Sequence, residues 1–540
     1  MNTPLPNLRL HWIDGTIIIA YLLVLLGVGF YHARRSRGQR DFFLAGREIK
    51  WLAIGFSLMA ALNSGIDYLM QPAAMIKFGV YTMVGSLSWL VIYPYVFHIA
   101  LPLYRRLNSI SVYEYLENRF DGRVRALAAS IFVLWRFGWM ATALYVPSLA
   151  ISVATGGRIS VTVMAVTLGT VVTLYTMMGG IRAVVWNDVF QFCLMFVGLA
   201  VTLVIGLREI DGGFGTIIRQ FSQVGEAVQN KVPSGVSGPF SFLYVPMTLI
   251  GMLISVIVAR IGTYTSDQVM VQRFQTARTI ADAKRGFLIN AISDTVWMLA
   301  LAFMGLVLFA FFHARFGGLP GWASDHPDQL FPYFISSVFP IGLVGLVIAA
   351  ILAASVSSID SAMNALTSVL TVDFVEGFRR KRGGVGASQS SQSMVLPRLI
   401  NLGVGAIGIL LAVNVSRLGS LLEIANKLIN SFTGPILGIF LLGIFFRRAH
   451  SAAALIGGIG GTLVSMYVAF QSQINGILNH WFNAGLDEHA VISFLWPSTF
   501  GLAATLLLGM VAGRLRRTRD SASTLEWTWR RVTQRELIEH

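Results

Sequence analysis

Cysteine is nearly absent: Cys193 is the only one in 540 residues, and it lies in an apolar run. That excludes disulfides and cysteine-built metal centres. Charge is scarce too, with Asp, Glu, Lys and Arg at 12% of the chain, against about a quarter in a soluble domain. Enzyme signatures are also missing. Neither His98, His313 nor the other histidines have an HExxH-like spacing. The GGI at 179–181 follows an apolar run and lacks the lysine of a phosphate-binding loop. The tail beyond Arg519 is too short for a catalytic domain. An enzyme is therefore the weakest candidate.

What the chain does have is hydrocarbon: 55% hydrophobic residues and a mean hydropathy of +0.67. Its 53 glycines suit helices that approach closely within a bilayer. Thirteen apolar stretches are long enough to cross, at 13–32, 51–78, 80–103, 124–154, 159–178, 183–207, 244–264, 283–313, 337–375, 396–415, 418–446, 451–472 and 489–513. No cleavable signal is expected, because the first stretch is itself long enough to span.

A net charge of +15 would suggest nucleic acid in a soluble protein, but here the basic residues crowd into particular loops. Arg34, Arg35, Arg37, Arg40, Arg47 and Lys50 follow the first stretch; Arg105 and Arg106 follow the third; Arg379, Arg380, Lys381 and Arg382 follow the ninth; Arg447 and Arg448 follow the eleventh. The positive-inside rule then puts the N-terminus outside and the C-terminus in the cytoplasm of a multi-pass protein of the cell inner (plasma) membrane. The segment 383–393, GGVGASQSSQS, reads as a flexible linker. The loop 208–243 is expected to cap the outer face.

Two stretches break their own apolar pattern. The second carries Asn63, Ser64, Gly65 and Asp67 at mid-depth, with Pro72 soon after, and the seventh contains ARIGTYTSDQ. An opened helix leaves backbone carbonyls free, which is tolerable in a membrane only beside a cavity or an ion. Paired interruptions of this kind point to a transporter binding site. The ninth stretch holds AASVSSIDSAMN, residues 353–364. Ala354, Ser357, Ser358 and Ser361 share one helical face, and Asp360 borders it. Hard oxygen donors buried in hydrocarbon suit a small, weakly polarising cation such as sodium.

YTMMGGIRAVVWNDVFQ (175–191), DQVMVQR (267–273), the serine-rich ninth stretch and NSFTGPILGIFLLGIFFRRA (430–449) together resemble the sodium:solute symporter family. FFLAGR (42–47) and SVYEYLENRFD (111–121) resemble its cytoplasmic loops. The resemblance runs from about 11 to 515. It implies an all-α integral membrane protein with a LeuT-type five-plus-five inverted repeat. By this reading, residues 1–40 form an extra N-terminal span and 41–450 the transporter core, with repeats at about 51–207 and 244–446. Two C-terminal spans follow over 451–513, then a cytoplasmic tail over 514–540. The implied activity is sodium-coupled uptake of a small polar solute (a sugar, sugar acid or other carboxylate or zwitterion) by alternating access. One or two sodium ions, membrane lipid and a monomeric state are expected, with no nucleic-acid partner.

By resemblance, the principal sodium site uses Ala60, Asn63, Ala354, Ser357 and Ser358. A second would use Asp188, Ser357, Asp360 and Ser361, although Asp360 replaces the neutral hydroxyl of other members. Close helix packing is the bland alternative for the serines, an Arg182 ion pair for Asp188, and bonding to Ser357 or Asn364 for Asp360. Asp67, Arg260 and Asp294 are expected to face the solute cavity with Ser64, Ser86, Trp139 and Tyr264. A charge at mid-span costs about 3 kcal/mol, so either Arg260 pairs structurally with both acids, or it holds a solute carboxylate. Trp139, Leu62, Thr263 and Arg260 depart from related pockets; Trp139 stands where sialic-acid-binding members carry arginine. Gln268, Gln272 and Arg273 belong to an inner gate or to a solvated helix end. A neutral-sugar symporter, a proton-coupled symporter using Asp360 or Asp188, and a solute sensor remain as rivals.

Overall fold

The computed structural model describes residues 10–33, 39–106, 110–220, 237–324, 329–377, 395–414, 421–487, 491–515 and 526–529. The expected linker 383–393, Arg34, Arg35, Arg37, the basic run 379–382, residues 221–236 of the long loop and most of the tail lie outside the described residues.

A chain this apolar has no water with which to satisfy its amide groups, so it satisfies them within helices. The principal helices are α1 (Trp12–Ala33), α2 (Trp51–Leu62), α3 (Gly65–Phe78), α4 (Gly122–Ala154), α5 (Val161–Arg208), α6 (Leu249–Ser266), the short α7 (Gln268–Thr276), α8 (Ile280–Phe316), α9 (Leu343–Val369), α10 (Val395–Asn414), α11 (Leu421–Phe445), α12 (Ser451–Ala469) and α13 (Pro497–Leu515). Among the described residues, ten helices are long and apolar enough to cross a membrane, and two shorter apolar ones accompany them. The stretches expected at 159–178 and 183–207 both fall in α5. They are divided at Gly180, whose φ of 58° and ψ of −161° break the helix. A Cβ at Gly180 would lie 2.6 Å from the carbonyl oxygen of Phe42, so the bend needs a residue without one. The stretch expected at 80–103 is irregular, opening as a 3-10 turn over Gly79–Ser88 and passing through a π-helical turn at Val96–Ala100.

The serine helix α9 lies at the centre. It packs against α5, α4 and α1, and all its residues except Leu343 and Leu346 are buried. The short helix Gly213–Gln220 of the long loop packs on α8 through Phe214 and Phe303, ring centroids 5.9 Å apart.

α9 lacks a cap from its own chain segment, because its N-cap residue is Gly342, at φ 88°. Asp14 of α1 supplies one from outside. This buried carboxylate accepts from the amides of Gly342 and Gly345, both at 2.8 Å. The extra N-terminal helix is thereby tied to the helix that bears the serines. Asp14→Ala strands both amides and is expected to cost about 1 kcal/mol, lowering the Tm of the detergent-solubilised protein. An unchanged melt would contradict this role.

Candidate cation and solute site

α2 stops at Leu62 and α3 starts at Gly65; Asn63 (φ −100°, ψ 139°) and Ser64 (φ −124°, ψ 172°) between them are extended. The sequence stabilises this opening locally. The Ser64 hydroxyl accepts from the Ile66 amide at 3.1 Å, and the Asp67 carboxylate accepts from the Ser64 amide at 2.6 Å. This is a capping box, which restarts a helix after a break. A Cβ on Gly65 would lie 2.9 Å from the Ile351 carbonyl and collide with Ser355, so the broken strand of backbone sits hard against α9.

At that junction the hydroxyl of Ser358 donates to the main-chain carbonyl of Asn63 at 3.2 Å. Ala60, Asn63, Ala354, Ser357 and Ser358 are all buried. The two elements expected to share a cation therefore meet. Ser357 turns the other way, donating to Asp188 at 2.5 Å.

Asp188 is fully buried and pairs not with Arg182 but with Arg273, at 2.8 Å; Arg182 bonds Glu48 and the Ala45 carbonyl instead. Ser57 also donates to Asp188, at 2.5 Å. Arg273 further donates to Ser57 at 2.7 Å, to Ser361 at 2.5 Å and to the Val269 carbonyl at 2.8 Å. Asp360 bonds neither Ser357 nor Asn364: it accepts from Tyr175 and, at 3.2 Å, from Ser361. The four residues expected to form a second cation site thus lie together around a guanidinium. Ser57, Tyr175 and Arg273 were missing from the expected set. The DQVMVQR motif exposed Arg273 as notable, but nothing along the chain located its partner.

The solvated-end reading of Gln268, Gln272 and Arg273 is likewise overturned, since all three are buried. α7 begins after a second break at Asp267 (φ −91°, ψ 117°), which caps it by accepting from the Val269 amide at 3.0 Å and pairs with the buried Arg136 of α4. Gln268 bonds the carbonyl of Ile110 and the amide of Val112 at 2.7 and 2.8 Å. Gln272 donates to the Phe43 carbonyl at 2.7 Å and accepts from Asn364 at 3.0 Å. Ile49 donates to the Thr276 carbonyl at 3.2 Å. The loops that resemble family cytoplasmic motifs are therefore latched to α7.

On the other side of the break, Arg260 pairs with Asp294 at 2.7 Å, not with both acids, since Asp67 serves the capping box. Asp294 also accepts from the Trp89 indole and the Asn63 amide, each at 2.9 Å. The guanidinium lies 5.3 Å from the Trp89 ring centre, a cation–π contact, and its side chain remains 15% exposed. Tyr264 is buried against Trp89, Phe274 and Phe287, and its hydroxyl accepts from Asn290 at 2.7 Å. Ser86 is half-buried in the 3-10 turn of Gly79–Ser88. Trp139 is half-buried on α4, and its indole N–H has no hydrogen-bond partner among the described residues. Trp89 had not been expected here; its indole nitrogen was invisible to hydropathy, which reads tryptophan as apolar.

A sequence model described as the sodium:solute symporter family matches residues 42–461. The chain is 30% identical to the sodium/sialic acid symporter NanT of Aliivibrio fischeri, over 85% of this chain and 88% of that one. It is 28% identical to the sodium/sialic acid symporter SiaT of Proteus mirabilis, over 96% and 100%, and 28% identical to human sodium-coupled monocarboxylate transporter 1, over 85% and 74%. Among solved structures, a Na+-coupled sialic acid symporter in a substrate-bound outward-open state, with a novel Na+ site, superimposes with a TM-score of 0.77. Its identity is 27%, and the match covers 94% of this chain and 98% of that one. The architecture is the all-helical LeuT type, and sodium-coupled symport at the plasma membrane goes with it. By breaks, serine helix and comparisons together, this chain belongs to the sodium:solute symporter family.

Proposed function

We propose that this chain imports a small organic acid together with sodium, with Arg260 reading the acid's carboxylate. The observation that carries the reading is the 3.2 Å contact between Ser358 and the freed carbonyl of Asn63. It supports a sodium cradle of Ala60, Asn63, Ala354, Ser357 and Ser358. Sialic acid and monocarboxylates, the solutes in the relatives' names, both carry a carboxylate, and a guanidinium is a well-matched partner for one. Arg260 is the partly exposed cation beside the break. Trp139 replaces the arginine expected from sialic-acid-binding members, so the carboxylate is read from α6 instead of α4.

Sodium between the break and α9 holds the binding-competent backbone, raising solute affinity; linkage requires the solute to raise sodium affinity equally. The membrane potential adds about 2.3 kcal/mol per charge per 100 mV to the drive. The two repeats, at 51–207 and 244–446, rock against each other with the C-terminus cytoplasmic, and the α7 latches open to release the ion inward. The chain works as a lipid-embedded monomer and catalyses no covalent chemistry. The cluster of Asp188, Ser357, Asp360 and Ser361 has Arg273 in its midst, which favours one sodium per cycle over two. A second reading, transport of a neutral sugar, is favoured by one fact: Asp294 already neutralises Arg260.

A thermal-shift panel of N-acetylneuraminate, lactate, a neutral hexose and an amino acid, each in sodium and in choline, discriminates these readings. Stabilisation by the acids in sodium alone is expected; hexose as the sole hit would refute the carboxylate assignment. Ser358→Ala is expected to raise the half-saturating sodium for uptake into proteoliposomes about tenfold, equivalent to about 1.4 kcal/mol; an unchanged value argues against the cradle. Asp188→Asn leaves the buried Arg273 charge unpaired and should cost about 3–5 kcal/mol, part of which Asp188→Asn with Arg273→Met restores. Equal melts for the single and double variants would sink that account.

A further inference from the structure

Asn63 faces two ways. Its main-chain carbonyl meets Ser358 at 3.2 Å, while its side-chain amide donates to Asp294 at 2.9 Å and to the Met59 carbonyl at 3.1 Å. Asp294 in turn holds Arg260 at 2.7 Å and Trp89 at 2.9 Å. The chain of contacts from serine helix to guanidinium therefore runs through Asn63 and Asp294. Asn63 is buried, and its side-chain amide is held by its two acceptors. The side-chain oxygen of Asn63 is buried and has no hydrogen-bond partner among the described residues. Buried amide oxygens are seldom left so, and this one lies at the break.

We propose that Asn63 is the coupling residue of the transporter: a cation drawn to its carbonyl fixes its side-chain amide, which positions the Asp294–Arg260 pair for the solute. This rests on the sodium cradle and the Arg260 pocket of the preceding reading. The consequence is specific. Sodium should order Arg260 even with no solute present, and that ordering should depend on the Asn63–Asp294 bond. An allosteric link needs such a physical connection, with two states that both ligands bias. The Ser64–Asp67 capping box keeps α3 in place on its own, so cutting the side-chain link need not close the break.

The test uses full-length protein in detergent, without solute. Phenylglyoxal modification of Arg260 is followed by peptide mass spectrometry, with and without sodium at a concentration saturating each variant's own thermal shift. In the unaltered protein, sodium is expected to slow the modification by about fivefold or more, the lower end of usual coupling factors. In Asn63→Ser the slowing should fall below about twofold. Asp294→Ala cuts the same link from the far side and serves if Asn63→Ser misfolds; it should abolish the sodium effect also. Undiminished protection in either folded, sodium-responsive variant overturns the proposal, as does a sodium-stabilised unaltered protein whose Arg260 rate ignores sodium. A complete absence of sodium stabilisation in the unaltered protein overturns the cradle itself and the coupling with it.

Discussion

Backbone polarity inside hydrocarbon is the constraint on which the rest depends. A helix opened at mid-depth leaves both amides and carbonyls without partners, and each costs several kcal/mol if unmatched. The chain meets that demand at Asn63 with two devices. Ser64 and Asp67 restart the helix from below, and Ser358 reaches the carbonyl from α9. The second device is available only because Gly65 lets the two backbones approach. A hydroxyl that satisfies a carbonyl can also share it with an ion, so in the proposed cradle the structural remedy and the transport chemistry use the same atoms.

The same economy governs the ionised side chains. Among the described residues, the buried ion pairs Arg260–Asp294, Arg273–Asp188, Arg136–Asp267 and Arg125–Asp373 each join two different helical segments. An unpaired charge at such depth would be prohibitive, and a paired one is costly to break from one side only. Arg260–Asp294 lies beside the first break, Arg273–Asp188 against the serine helix, and Arg136–Asp267 at the second break. Asp360 has no arginine of its own among the described residues; its partners are hydroxyls from Tyr175 and Ser361. Ser361 links it to the neighbouring Asp188 pair, because its hydroxyl also accepts from Arg273.

How legible this was depends on the range of the interaction. The broken helices could be read directly, because Asn63-Ser64-Gly65 and Thr265-Ser266-Asp267 are local interruptions of apolar runs, and each does break. The serine face was legible from helical periodicity alone. Partnerships were not. Asp188 was weighed against Arg182, six residues upstream, while its true partner Arg273 is 85 positions away. Arg273 itself read equally as part of an inner gate or as a solvated helix end, since it lies beyond the apolar stretch 244–264. Burial there comes from loops at 42–50 and 110–113 folding over α7, and hydropathy has no means of registering a lid made of other segments.

By itself the sequence determined a helical membrane protein, the two places where its helices must open, and which helix bears the hydroxyls. All three follow from short-range rules: hydrocarbon length, capping chemistry and the 3.6-residue period. Only the tertiary structure decided which charge answers which, that Asp67 is spent on a cap instead of on Arg260, that Asp14 caps the serine helix, and that Asn63 touches both the hydroxyls and the Asp294–Arg260 pair. Those outcomes depend on how helices pack across the bilayer. A Coulombic or hydrogen-bonded match is chosen by distance in space, and separation along the chain carries almost no information about it.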